Sequence, residues 1–161
     1  MKKILFVCTG NTCRSSMAEG IFNAMASQDE EIRGNFEAAS AGVAALEGEP
    51  ASSGSTRALK ELYGIDLSGH RAKNISDAMI KNAYLILTMT ASHKEMLLEA
   101  FPLSRDRVFT LKEYVLGPES GCSPDISDPY GMPAKVYEQC AAEIREIIGK
   151  LVLKLKENRD F

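Results

Sequence analysis

Residues 7–16 read Val-Cys-Thr-Gly-Asn-Thr-Cys-Arg-Ser-Ser, directly after the apolar run Ile4-Leu5-Phe6-Val7. A cysteine, five residues, then an arginine and a serine is a spacing that suits phosphoryl transfer. Cys8 offers a sulfur nucleophile. Gly10 and the small polar residues around it let the backbone curl until several N–H groups face an anion. Arg14 adds a planar fork that matches two phosphate oxygens. A helix starting there adds the positive end of its dipole. The same residues also describe a small core cysteine followed by a Gly-Asn turn. Context favours the chemistry: a strand precedes, Met17-Ala18-Glu19-Gly20-Ile21-Phe22 follows as helix, and nothing large lies between Cys8 and Arg14.

A second candidate lies late in the chain. Residues 117–131 break all regular pattern, and a loop of that length in a compact domain is usually functional or disordered. It ends in Asp128-Pro129-Tyr130-Gly131. Proline holds the residue before it extended, which fixes Asp128, and Tyr130 can wall a pocket. The plainer reading is an aspartate that starts a turn, and Asp125 is a nearby competitor.

Apolar runs alternate with helical periodicity, which predicts an α/β fold: a doubly wound four-stranded parallel sheet with helices on both faces, in a single domain over 1–161. Strands are expected at 3–8, 36–41 (ended by Gly42), 84–89 and 107–111, and helices at 14–27, 52–63 (stopped by Gly64), 92–100 and 135–156. In the last helix Val136, Cys140, Ile144, Ile147, Ile148, Leu151 and Leu155 make one apolar stripe that packs on the sheet. The phosphate-binding loop after strand 1 falls at the carboxyl edge of the sheet, where such folds bind ligands.

Composition narrows the partners. The 161 residues are 45% apolar and 25% charged, ordinary for a soluble globular chain. A net charge of −3 without a Lys/Arg cluster offers no nucleic-acid face. The start, Met1-Lys2-Lys3-Ile4, leads into only about five apolar residues, too short for a secretory core or a membrane span, so a cytoplasmic protein with no membrane partner is expected. Cysteines 8, 13, 122 and 140 and histidines 70 and 93 show no metal-ligand spacing. No metal or cofactor is expected, and the thiols are read as free. Cys13 either fills space in the loop or traps an oxidised Cys8 as a disulfide.

The segments Val7 to Ser15, Ala39-Ser40-Ala41-Gly42, His70-Arg71-Ala72 and Asp128-Pro129-Tyr130-Gly131 occur in the order found in low-molecular-weight protein tyrosine phosphatases. The resemblance spans nearly the whole chain. Thr12 and the stretch Val108-Phe109-Thr110-Leu111-Lys112-Glu113-Tyr114-Val115 are most similar to the bacterial protein-arginine phosphatases of that family. Tyrosine-specific members usually carry a larger aliphatic residue at the position of Thr12.

The resemblance implies roles. Cys8 would attack phosphorus as a thiolate, supported by loop N–H groups, the helix start and Ser15. Arg14 would hold the phosphoryl group and its charge during transfer. Asp128 would protonate the departing atom, then activate water against a phosphocysteine intermediate. Thr9, Gly10, Asn11, Thr12, Cys13 and Ser15 would form the phosphate loop, with Tyr130 as a wall. Asn11 would brace the loop with help from Ser40 and His70. Substrates would be phosphorylated proteins, with phosphoarginine preferred over phosphotyrosine because Thr12 leaves room and a hydroxyl for the guanidinium. The oligomeric state stays open.

Two residues depart from the family pattern. Ser16 stands where proline is usual, and Tyr130 is a lone aromatic where many members have two neighbouring tyrosines. His93 matches nothing and is read as a surface residue. An arsenate reductase on this fold needs further cysteines near mid-chain, and residues 60–110 contain none. A non-catalytic phosphate binder needs neither Cys8 nor Asp128.

Overall fold

The computed structural model describes residues 1–158. Four parallel strands, β1 (Lys2–Cys8), β2 (Phe36–Gly42), β3 (Ala83–Thr88) and β4 (Val108–Thr110), lie in the order β2-β1-β3-β4. The helices among the described residues are α1 (Arg14–Ser27), α2 (Glu30–Asn35), α3 (Ser53–Tyr63), α4 (Asp77–Asn82), α5 (Ala91–Ala100), α6 (Leu111–Leu116) and α7 (Ala134–Asn158), with a 3-10 turn at Pro102–Ser104.

β1 is internal, and Ile4, Leu5, Phe6, Val7 and Cys8 are all buried, as a strand covered on both faces requires. Alternation sorts them by face. Ile4, Phe6 and Cys8 join the core closed by α1, α3 and α7 through Met17, Phe22, Leu59, Ile144 and Ile148. Leu5 and Val7 join a smaller core closed by α4 and α5 through Ile80 and Leu97. This is the doubly wound sheet that the alternating pattern predicts. The stripe of α7 is buried too, with Tyr137 in the place expected for Val136.

Three helices escape the periodicity. α2, α4 and α6 have six residues each, under two turns, so no apolar period can show. Their caps are the legible signal: Asp29 accepts from Glu31 N and Ile32 N, and Ser76 accepts from Met79 N. At α6 Thr110 and Glu113 form a reciprocal capping box. That cap ends β4 at Thr110, so Leu111, expected in the strand, opens the helix instead.

The two strand ends at the site are locked together. Gly42 pairs with Cys8 across β1 and β2, and a Cβ on Gly42 would collide with the carbonyl oxygen of Thr9. Backbone cannot yield as a flexible side chain does. Gly42→Ala is therefore expected to destabilise the fold by about 1–3 kcal/mol, the usual range for overpacking, read as a lowered midpoint in urea denaturation. An unchanged midpoint would show that β2 can move away from the loop.

Candidate active site

Cys8 ends β1 and Arg14 opens α1, so residues 9–13 must reverse the chain at once. Asn11 makes the reversal with φ 59, the left-handed region that asparagine tolerates. It is fully buried, and its amide is fully used. Nδ2 donates to Ser15 Oγ at 2.8 Å and to Ser40 Oγ at 2.9 Å, and Oδ1 accepts from Lys73 N at 3.0 Å. Its backbone N–H lies 3.3 Å from Cys8 Sγ as donor. Its carbonyl accepts from His70 Nε2 at 2.6 Å. A carbonyl has no proton to give, so Nε2 is the protonated nitrogen of His70. Ser15 Oγ, which accepts from Asn11, lies 2.9 Å from Cys8 Sγ and keeps its own proton free to donate to a thiolate there. Two donors thus converge on the sulfur, an arrangement that suits a negative one.

Arg14 is 5% exposed. Its Nη1 donates to the carbonyl of Ile126 at 3.0 Å, and Nη2 lies 3.4 Å from Asp128 Oδ2. Its Nε is buried without a partner among the described residues. An unmet buried donor is costly, and a phosphoryl oxygen would meet it. Cys8, Thr9, Gly10, Thr12, Cys13, Arg14, Asp128 and Tyr130 together line a cleft of about 300 Å3 that Ala44, Leu46 and Glu49 complete. Asn11, Ser15, Ser40 and His70 stand behind it as the brace just described. Asp128 is half-exposed, and its Oδ1 accepts from Tyr130 N at 3.0 Å, which fixes the carboxylate. Asp125 does not line the cleft: its Oδ1 accepts from Ala91 N at 2.8 Å, at the start of α5.

His93 corrects the sequence reading. It is not a surface residue but 5% exposed, with Nε2 at 2.8 Å from Thr9 Oγ1 and Nδ1 buried without a partner among the described residues. Burial first, and then the Arg14 charge, push its pKa down to about 4 against the opposing pull of Asp125 and Asp128. A lone histidine in a polar stretch carries no sign of this; the contact spans 84 positions in sequence.

Other neighbours of the cleft also escaped notice. Ile126 is buried, with its N–H on Met89 O at 2.8 Å and its carbonyl on Arg14, so it pins the long loop to β3 and aims the guanidinium. Its only signal is that it is the apolar residue between Asp125 and Ser127. Ser52 Oγ and Tyr137 OH flank Cys13 Sγ at 3.2 and 3.7 Å. Ser16, where proline is usual, donates its hydroxyl to Cys13 O at 2.8 Å, a bond proline cannot make. Burial pushes the Cys140 thiol up to about 12, which leaves it inert.

A family model described as low molecular weight phosphotyrosine protein phosphatase matches residues 3–160. A protein-arginine-phosphatase of Geobacillus stearothermophilus is 42% identical over 154 residues, 96% of each chain. Among solved structures, a low molecular weight protein tyrosine phosphatase from T. tengcongensis superposes with a TM-score of 0.86 at 49% identity, covering 96% of this chain and all of that one. An arginine phosphatase mutant whose active-site serine is phosphorylated superposes with a TM-score of 0.88 at 38% identity, covering 98% of this chain and 97% of its own.

The depressed pKa of His93 gives stability a pH dependence. The folded chain resists protonation that the unfolded chain accepts at 6.5, so the contribution is whole above 6.5 and is lost as pH falls toward about 4. It amounts to about 2–3 kcal/mol. Unfolding free energies at pH 7 and pH 4.5 are expected to differ less in His93→Gln than in the natural chain. Equal differences would rule out His93 as a source of the acid sensitivity.

Proposed function

The chain belongs to the low molecular weight phosphotyrosine protein phosphatase family and is a protein phosphatase; from that premise we propose that it hydrolyses phosphoarginine on proteins in preference to phosphotyrosine, in two steps through a phosphocysteine. The observation that carries the mechanism is the convergence of Cys8, Arg14 and Asp128 on one cleft, with Arg14 Nε unbonded among the described residues.

Cys8 is the nucleophile. Its sulfur, held by Asn11 N–H and the Ser15 hydroxyl, attacks phosphorus as the P–N bond to the substrate guanidinium breaks. Asp128 gives its proton to the departing nitrogen. Arg14 and the loop N–H groups of residues 9–14 take the charge of the equatorial oxygens, and being fixed beforehand they pay no reorganisation during the reaction. In the second step the Asp128 carboxylate takes a proton from water, whose oxygen attacks the phosphocysteine. Inorganic phosphate leaves and the thiolate returns. The phosphorylated serine in the arginine-phosphatase mutant supports a phosphoenzyme on this fold.

The arginine preference is supported by the protein-arginine-phosphatase at 42% identity and by Thr12, which lines the cleft with a hydroxyl. The tyrosine-phosphatase name attached to the structure at 49% identity makes phosphotyrosine the second reading. We also read Cys13 as the thiol that captures Cys8 after a peroxide oxidises it to the sulfenic acid, forming a disulfide and releasing water. A cytoplasmic setting, which keeps thiols reduced, fits the free Cys8 and Cys13.

Matched phosphoarginine and phosphotyrosine peptides decide the substrate. The expected result is a higher kcat/KM on phosphoarginine, and a shift toward phosphotyrosine in Thr12→Ile of about 10-fold or more, the scale of one pocket contact. A natural chain faster on phosphotyrosine would overturn the preference. For the mechanism, Cys8→Ala is expected to abolish turnover. Asp128→Asn should lower kcat on either peptide about 10²–10⁴-fold, with a smaller loss on an aryl phosphate whose leaving group needs no proton. Equal losses on all substrates would remove Asp128 from the acid role.

A further inference from the structure

Of the residues lining the cleft, one carboxylate besides Asp128 has no part in the mechanism. Glu49 stands on the lip between Leu46 and the floor residues, on a segment tied down at many points. Val43 N donates to Cys8 O and Ala44 N to Thr9 O, at 2.9 and 3.0 Å. Gly48 N donates to Ala72 O at 2.9 Å, Ala72 N to Glu49 O at 2.7 Å, and Ser52 N to Thr12 O at 2.9 Å. Pro50 restricts Glu49 further to extended backbone. The neighbouring Glu47 is spoken for, its carboxylate accepting from Asn74 N at 2.6 Å. The Glu49 carboxylate has no hydrogen-bond or ion-pair partner among the described residues, although its backbone is held at both ends of the turn.

We infer that Glu49 is a specificity-determining residue whose carboxylate accepts hydrogen bonds from the guanidinium of a phosphoarginine bound in this cleft; the inference rests on the phosphoarginine reading above. The two candidate side chains differ most in charge just beyond the phosphorus. Phosphoarginine presents a planar cationic fork there, and a carboxylate is its geometric and electrostatic match. Phosphotyrosine presents a neutral ring, to which a carboxylate offers nothing; the phosphoryl dianion is common to both and does not separate them. Arg14 and Glu49 thus sort the substrate by position: cation at the floor for the phosphoryl group, anion at the lip for the guanidinium. A wall of Leu46 and Tyr130 alone would bind either side chain.

The experiment measures kcat and KM for matched phosphoarginine and phosphotyrosine peptides with the natural chain, Glu49→Gln and Glu49→Lys. Glu49 is exposed, so solvent screens the contact and the expected effect is moderate. Glu49→Gln should lower kcat/KM on phosphoarginine about fivefold more than on phosphotyrosine, mainly through KM. Glu49→Lys should widen the gap, and raising salt should narrow it. Parallel losses on both peptides, or none on phosphoarginine, would overturn the role of Glu49. The natural chain's own ratio reports separately on the phosphoarginine reading: a preference for phosphotyrosine sinks that reading even where Glu49→Gln selectively loses its phosphoarginine activity.

Discussion

The site is organised by one buried amide. Asn11 sits in left-handed backbone, with its side chain spent on Ser15, Ser40 and the Lys73 N–H and its peptide groups spent on Cys8 Sγ and His70. Each bond fixes something different. Ser15 is thereby left with its own proton free for the sulfur. Ser40 binds the loop to β2, and Lys73 and His70 bind it to the segment that runs along that edge. A buried polar network of this kind holds one geometry only when every member is satisfied, and here Asn11 is. What stays open beside it is Arg14 Nε, which has no acceptor among the described residues.

The sheet makes this network possible at low cost. Because β1 is internal and parallel, its carboxyl end is flanked by β2 and β3, and the loop that leaves it inherits neighbours on both sides. Gly42 opposite Cys8 lets β2 approach the loop backbone as closely as two chains can. From the other side, Ile126 joins the β3 exit at Met89 to Arg14. The loop that carries Asp128 is thus positioned by an apolar anchor two residues before it, in addition to the contacts its carboxylate makes with Tyr130 N and Arg14.

What could be read from sequence follows from locality. The Cys8–Arg14 loop, its strand and its helix are contiguous, so their spacing alone carries the geometry. The motif around Asp128 is equally compact, because Pro129 restricts the residue that matters. His93 and Ile126 act across the fold, through a single hydroxyl and a single carbonyl, and neither contact changes a local pattern. Asp125 and Asp128 differ in sequence only by the proline after Asp128; in the structure Asp125 is captured by the Ala91 N–H while Asp128 lines the cleft beside Arg14. The short helices failed for a different reason: six residues cannot display a period, although the capping residues Asp29, Ser76 and Thr110 announce their starts.

His93 shows how the cleft keeps its charge in one place. His70 is committed as a donor to Asn11 O, and His93 is held neutral by burial and by the Arg14 charge. A protonated imidazole at His93 would add a second cation beside Arg14 whose strength changed with every shift in pH. With it neutral, the positive field at the floor comes from a guanidinium, which does not titrate, and from peptide N–H groups, which cannot. The positive field at the floor therefore does not switch on and off with His93 around neutral pH. That neutrality also explains the place of His93: a neutral ring can still hold Thr9 through its hydroxyl, stiffening the loop next to Cys8 without contributing charge to it.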